Sequence, residues 1–150
     1  MNSQPAQAVD LLGAITANVY FVMIIAMFAA RIVGRLELGQ WIGLVSILTM
    51  IPLAYLFVVG LKADRPFIYF LWIGLMLLFL LFELTVDHIL KLDFRSVRWA
   101  VIPYVMFFFG ATGGMIGLAA QAGRSWAVAT TLIFFVMAAM AFIQRAKTGL

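Results

Sequence analysis

The sequence contains no cysteine, a single histidine and only 11% charged residues. Without cysteine there is no disulfide framework, no thiolate nucleophile and no Cys-ligated metal. One histidine cannot supply the His pair of a haem or non-haem iron centre. The chain has no phosphate loop, no GxSxG, no Ser-His-Asp set in one compartment and no CaaX box or other lipidation signal. The scarcity of charge excludes more. A soluble domain is nearer half apolar and a quarter charged, whereas this chain of 150 residues is 66% apolar with mean hydropathy +1.13. A water-soluble globule is excluded, and so is a disordered chain. Nucleic acid is excluded as a partner, because ten Lys and Arg in this background do not form a solvated basic face.

What is present is apolar length. Crossing a hydrocarbon core of roughly 30 Å takes about 20 apolar residues in a helix. Five stretches between charges meet that length and predict helices at about 11–31, 41–61, 66–90, 98–121 and 126–145. The runs are continuously apolar rather than alternating, which argues against strands. The predicted fold is therefore an all-α integral membrane protein, a single domain of five transmembrane helices with short loops. The connections are expected at about eight, four, eight and three residues, with Gly34 and Gly39, then Asp64-Arg65-Pro66, and finally Gly123-Arg124-Ser125 as punctuation. The first apolar run has no basic residue before it and is too long for a signal-peptide core, so it reads as a retained helix. Trp41, Trp99 and Trp126 fall at helix starts, where indoles anchor at the interface.

Basic residues orient the bundle. Arg31, Arg35, Lys91, Arg95, Arg98, Arg145 and Lys147 share one side, and Lys62, Arg65 and Arg124 the other. That bias puts the N-terminus outside and the C-terminus in the cytoplasm. It also explains the pI near 9.9, with membrane lipids as the first partner. The expected location is the cell (inner) membrane of a bacterium or archaeon.

Side-chain size predicts packing. The third helix is bulky from Leu75 to Phe82 and is expected to face mostly lipid. The fourth carries Gly110, Gly113, Gly114 and Gly117. The pairs Gly110/Gly114 and Gly113/Gly117 have the small-xxx-small spacing that lets helices approach, so the fourth helix is expected at the centre. Pro52 is expected to kink the second helix, freeing the Leu48 carbonyl near the Ser46 and Thr49 hydroxyls. Asn18 and the threonines inside the spans read as interhelical hydrogen-bonding groups.

One polar constellation lies within the spans. Glu83 and Asp87 are four residues apart, which puts both on one face of an α-helix, with His88 on the adjacent face. An acid in hydrocarbon must be paired or protonated. Arg31 ends its helix at the same depth and is the expected partner, with Arg95 and Arg98 as alternatives. Glu83, Asp87, His88 and Arg31 are thus candidate ligand- or ion-binding residues. The competing reading is a plain ion pair that fixes the first and third helices. No metal site is expected, because His88 lies about 100° around the helix from Asp87, and no cofactor is implied.

The expected function is binding or translocation of a small or lipid-like ligand, proton- or cation-coupled, in a cavity near Glu83 and Asp87 walled by Met76, Phe79 and the glycines. The alternatives are a non-catalytic subunit packing through its glycine face against a second copy or another membrane protein, and, more distantly, an intramembrane enzyme acting on lipid. In size and five-span layout the chain resembles the translocator-protein or tryptophan-rich sensory family. That family's Trp-rich motifs have no counterpart among four Trp placed mostly at helix starts, and no family is assigned on this ground.

Overall fold

The computed structural model describes residues 3–90 and 98–148. Among these the chain is all-helical, without strands. Its elements are α1 (Ser3–Ile32), α2 (Leu36–Ile47), α3 (Met50–Lys62), α4 (Phe67–Glu83), a π-helical turn (Leu84–Ile89), α5 (Arg98–Ala120) and α6 (Arg124–Thr148). Taken with their continuations, they make five helical segments long and apolar enough to cross a membrane: Ala6–Ile32, Leu36–Lys62, Phe67–Ile89, Trp99–Ala120 and Arg124–Thr148.

The first connection is a three-residue turn rather than the expected eight, because α1 runs on to Ile32 and α2 begins well before Trp41. Gly34 makes this possible. At φ +80° it lets its own N–H reach the Arg31 carbonyl (3.1 Å) and the Arg35 N–H reach that of Ala30 (2.9 Å), which is the Schellman closure. Asp64, at φ 53°, ends α3 in the same way, with the Arg65 N–H on the Gly60 carbonyl at 3.2 Å. Aspartate is one of the few residues with a side chain that tolerates this left-handed conformation.

The second segment breaks at Leu48 and Thr49, between α2 and α3. Pro52 has no N–H for the Leu48 carbonyl. Ile51 supplies one instead at 3.0 Å. The Ser46 and Thr49 hydroxyls do not serve that carbonyl as expected. They donate one turn earlier, to Gly43 at 2.6 Å and to Ser46 at 2.7 Å.

The centre of the bundle is α1, not the glycine-rich α5. Half of the apolar window of α1 is buried, against a third for α5, and α1 packs on α2, α3, α5 and α6. The cause is a face of small residues. Ala14 and Ala17 are fully buried, and a Cβ at Gly13 would touch Leu118 of α5 at 3.1 Å. Asn18 adds a polar tie to α6, donating to the Thr130 hydroxyl at 2.9 Å.

Helix α4 leaves most of its bulk unburied and packs through one face. Met76, Phe79 and Leu80 are buried, while Leu78, Leu81 and Phe82 face outward. The Phe79 ring lies 5.4 and 5.5 Å from those of Phe107 and Phe108 on α5. The glycines of α5 divide in two. Gly114 and Gly117 receive Trp72 of α4, whereas a Cβ at Gly110 or Gly113 would meet nothing within 4 Å. The working pair has spacing i,i+3 and accommodates a ring, and neither small-xxx-small pair acts as a unit.

At the other end of α1, Asp10 pairs with Arg65 at 2.6 Å, both side chains more than four-fifths buried. Arg65 also lies over the Tyr69 ring, 5.5 Å from its centroid, and Tyr69 fits against Gly60, where a Cβ would come within 2.7 Å. This pair joins the start of α1 to the turn between α3 and α4. Arg65→Ala is expected to lower the unfolding free energy by about 1–2 kcal/mol, between the values of exposed and enclosed charged hydrogen bonds. Thermal unfolding in detergent reads the effect, and Arg65→Lys should recover part of it.

Candidate functional site

Four helices converge on a cavity of about 90 Å³ at the end of the bundle away from Asp10. Helix α1 contributes Tyr20, Ile24, Met27, Phe28 and Arg31, which recur at helical spacing on one face. Val101, Tyr104 and Phe108 come from the start of α5, and Ala141, Gln144 and Arg145 from the last turns of α6. Helix α4 contributes Glu83 alone. The walls are therefore apolar and aromatic, with polar groups gathered where the helices end.

Each polar group is positioned by its neighbours. The Tyr104 hydroxyl donates a hydrogen bond to the Glu83 carboxylate, and the rings of Phe79 and Phe82 hold Tyr104 from 5.9 and 6.2 Å. A hydrogen bond to a charged acceptor is among the stronger kinds. The stem of Arg31 crosses Gly39 of α2, where a Cβ would come within 2.8 Å of the Arg31 Cγ. Glycine there makes room for the arginine. Gln144 is buried, and its amide donates to the Thr148 hydroxyl at 3.3 Å while that hydroxyl donates to the Gln144 carbonyl at 2.9 Å.

Of the residues singled out in the sequence, Glu83 and Arg31 line this one cavity. Asp87 and His88 lie half-buried on the π-helical turn and are not among the lining residues. Residues 84–89, which include Asp87 and His88, follow the π pattern, with the Leu90 N–H bonded five residues back to Thr85 at 2.8 Å. The wider turn shifts the register immediately after Glu83. Arg95 and the Arg98 side chain lie outside the described residues. Among the described residues no three His, Asp or Glu side chains gather as a metal centre requires.

Tyr104, Gln144 and Arg145 join the site without having been singled out for it. Their signal was the helical spacing of Val101, Tyr104 and Phe108, and of Ala141, Gln144 and Arg145, visible only once the facing helices are known. Chemically, the cavity offers one carboxylate bonded to a phenol, two guanidinium groups and a carboxamide above apolar walls. The chain matches no protein-family model, no curated protein and no solved structure.

Proposed function

We propose that the chain crosses a membrane five times, with its N-terminus outside and its C-terminus in the cytoplasm, and that its cavity binds the polar end of a small or lipid-like amphiphile from the cytoplasmic side. The observation that carries this reading is the convergence of Glu83, Tyr104, Arg31, Gln144 and Arg145 on one apolar-walled cavity. The excess of Lys and Arg in the connections and tail at that end supports the orientation. Ionisable side chains at membrane depth are costly, which makes each of them a functional-site hypothesis.

The test fills the cavity. Ala141 lines it from a half-buried position on α6, and Ala141→Leu adds three carbons to a space of about 90 Å³. Four probes with one ten-carbon tail and different heads are titrated into the protein in phosphatidylcholine nanodiscs: decyl phosphate, decanoate, decanol and decyltrimethylammonium. At least one binds saturably above empty nanodiscs. Ala141→Leu weakens that probe by about tenfold or more, on the order of 1.4 kcal/mol, with an unchanged thermal midpoint. Failure of all four probes to bind the unaltered protein overturns the proposal.

A further inference from the structure

We infer that the polar group this cavity takes is an anion, a carboxylate or phosphate, held between Arg31 and Arg145. The inference rests on the binding reading above and adds the charge class of the ligand.

The balance of the lining decides the sign. Among the described residues, Arg31 and Arg145 line the cavity with one carboxylate, that of Glu83, which accepts the Tyr104 hydroxyl. A calcium ion asks for six to eight oxygen ligands, carboxylates prominent among them. One carboxylate does not meet that need, and no metal-holding cluster occurs among the described residues. An anion asks for directed N–H donors, and a guanidinium presents five in a planar fork that fits carboxylate and phosphate oxygens two at a time. Arg31 lies in the last turn of α1 and Arg145 in that of α6, so two arginines from different helices line one space.

Size and walls define the rest of the ligand. A cavity of about 90 Å³ suits a head group and the first carbons behind it. Behind the arginines, Ile24, Met27, Phe28 and Phe108 line the cavity toward the bundle interior. An anionic head with a short apolar stem matches both regions. The same chemistry is offered by the head group of a single-chain anionic lipid and by a free organic phosphate.

The four-probe titration tests the inference separately from the pocket itself. Decyl phosphate and decanoate bind at least tenfold more tightly than decanol, and decyltrimethylammonium binds more weakly still. Arg145 is solvent-exposed, so Arg145→Gln leaves the fold intact. It weakens decyl phosphate at least tenfold and leaves decanol unchanged. Lys147→Gln, which alters an exposed cation outside the cavity lining, leaves decyl phosphate binding unchanged. Decanol or decyltrimethylammonium binding as tightly as decyl phosphate overturns the anion assignment while the pocket stands, and so does an equal loss in Lys147→Gln. Absence of binding by all four probes removes the pocket reading with it. Competition against decyl phosphate then separates the sources. Displacement by phenyl phosphate as well as lysophosphatidic acid assigns a free anion, displacement by lysophosphatidic acid alone assigns a lipid head group, and displacement by neither overturns the inference.

Discussion

Gly117→Leu is expected to lower the unfolding free energy by about 2–3 kcal/mol, the upper part of the range for overpacking a filled contact. The Trp72 ring occupies the place a side chain would take. A Cβ at Gly117 would lie 2.5, 2.6 and 2.8 Å from three atoms of the indole, and one at Gly114 would lie 3.2 Å from the Trp72 Cα. An indole is stiff, and the backbone beneath it belongs to α4, so room opens only if α4 and α5 separate. Gly113→Ala has the opposite sign. Nothing lies within 4 Å of its Cβ position, and alanine is the better helix former by about 1 kcal/mol. Denaturant titration in mixed micelles compares the two. Equal losses at Gly113 and Gly117 would mean that Trp72 does not define the α4–α5 contact. Shrinking the ring should relieve the clash, so Trp72→Ala combined with Gly117→Leu is expected to be less destabilised than the two single changes added together.

This contact shows what the sequence discloses and where it stops. Length and apolarity marked five helical stretches, because the hydrogen bonds of a helix are internal and its extent is written locally. Rotation about each helix axis is not written locally. The glycines of α5 were conspicuous, yet only Gly114 and Gly117 turn toward a neighbour. Alanines, which draw no notice in a chain this apolar, made α1 the centre through Ala14 and Ala17. Asp10 and Arg65 fall 55 residues apart at one end of the bundle. Each was legible as a charge bounding a span, but their partnership depends on how α1 meets the turn between α3 and α4. The π-helical turn after Glu83 carries no composition signal, and Asp87, which lies on it, is not among the residues that line the cavity. Arg31 and Asp87 could be set at one depth, with Glu83 about one turn deeper, by counting residues from the ends of their spans. The facing residues of α5 and α6 could not, because choosing them requires knowing which side of each helix looks inward.

The Tyr104–Glu83 bond is expected to show a coupling energy of about 1.5–3 kcal/mol in a double-mutant cycle, the range for hydrogen bonds to charged groups. Tyr104→Phe removes the donor and leaves a half-buried carboxylate one partner short. Glu83→Leu removes the charge but leaves the phenol without this acceptor. Each single change therefore destabilises the join between α4 and α5. The double change Tyr104→Phe/Glu83→Leu costs less than the sum, because neither group then loses a partner to the other's absence. Glu83→Gln keeps an acceptor for Tyr104 while discarding the charge, so its loss should fall below that of Glu83→Leu. The cycle cancels what either side chain contributes through other contacts, which makes it a measure of this bond alone. A coupling below about 0.5 kcal/mol, the lower limit for residues in contact, would mean that phenol and carboxylate act independently. The start of α5 would then be held against α4 by the edge-to-face and tilted ring contacts of Phe79 with Phe107 and Phe108, and Glu83 would face the cavity without the donor that orients it.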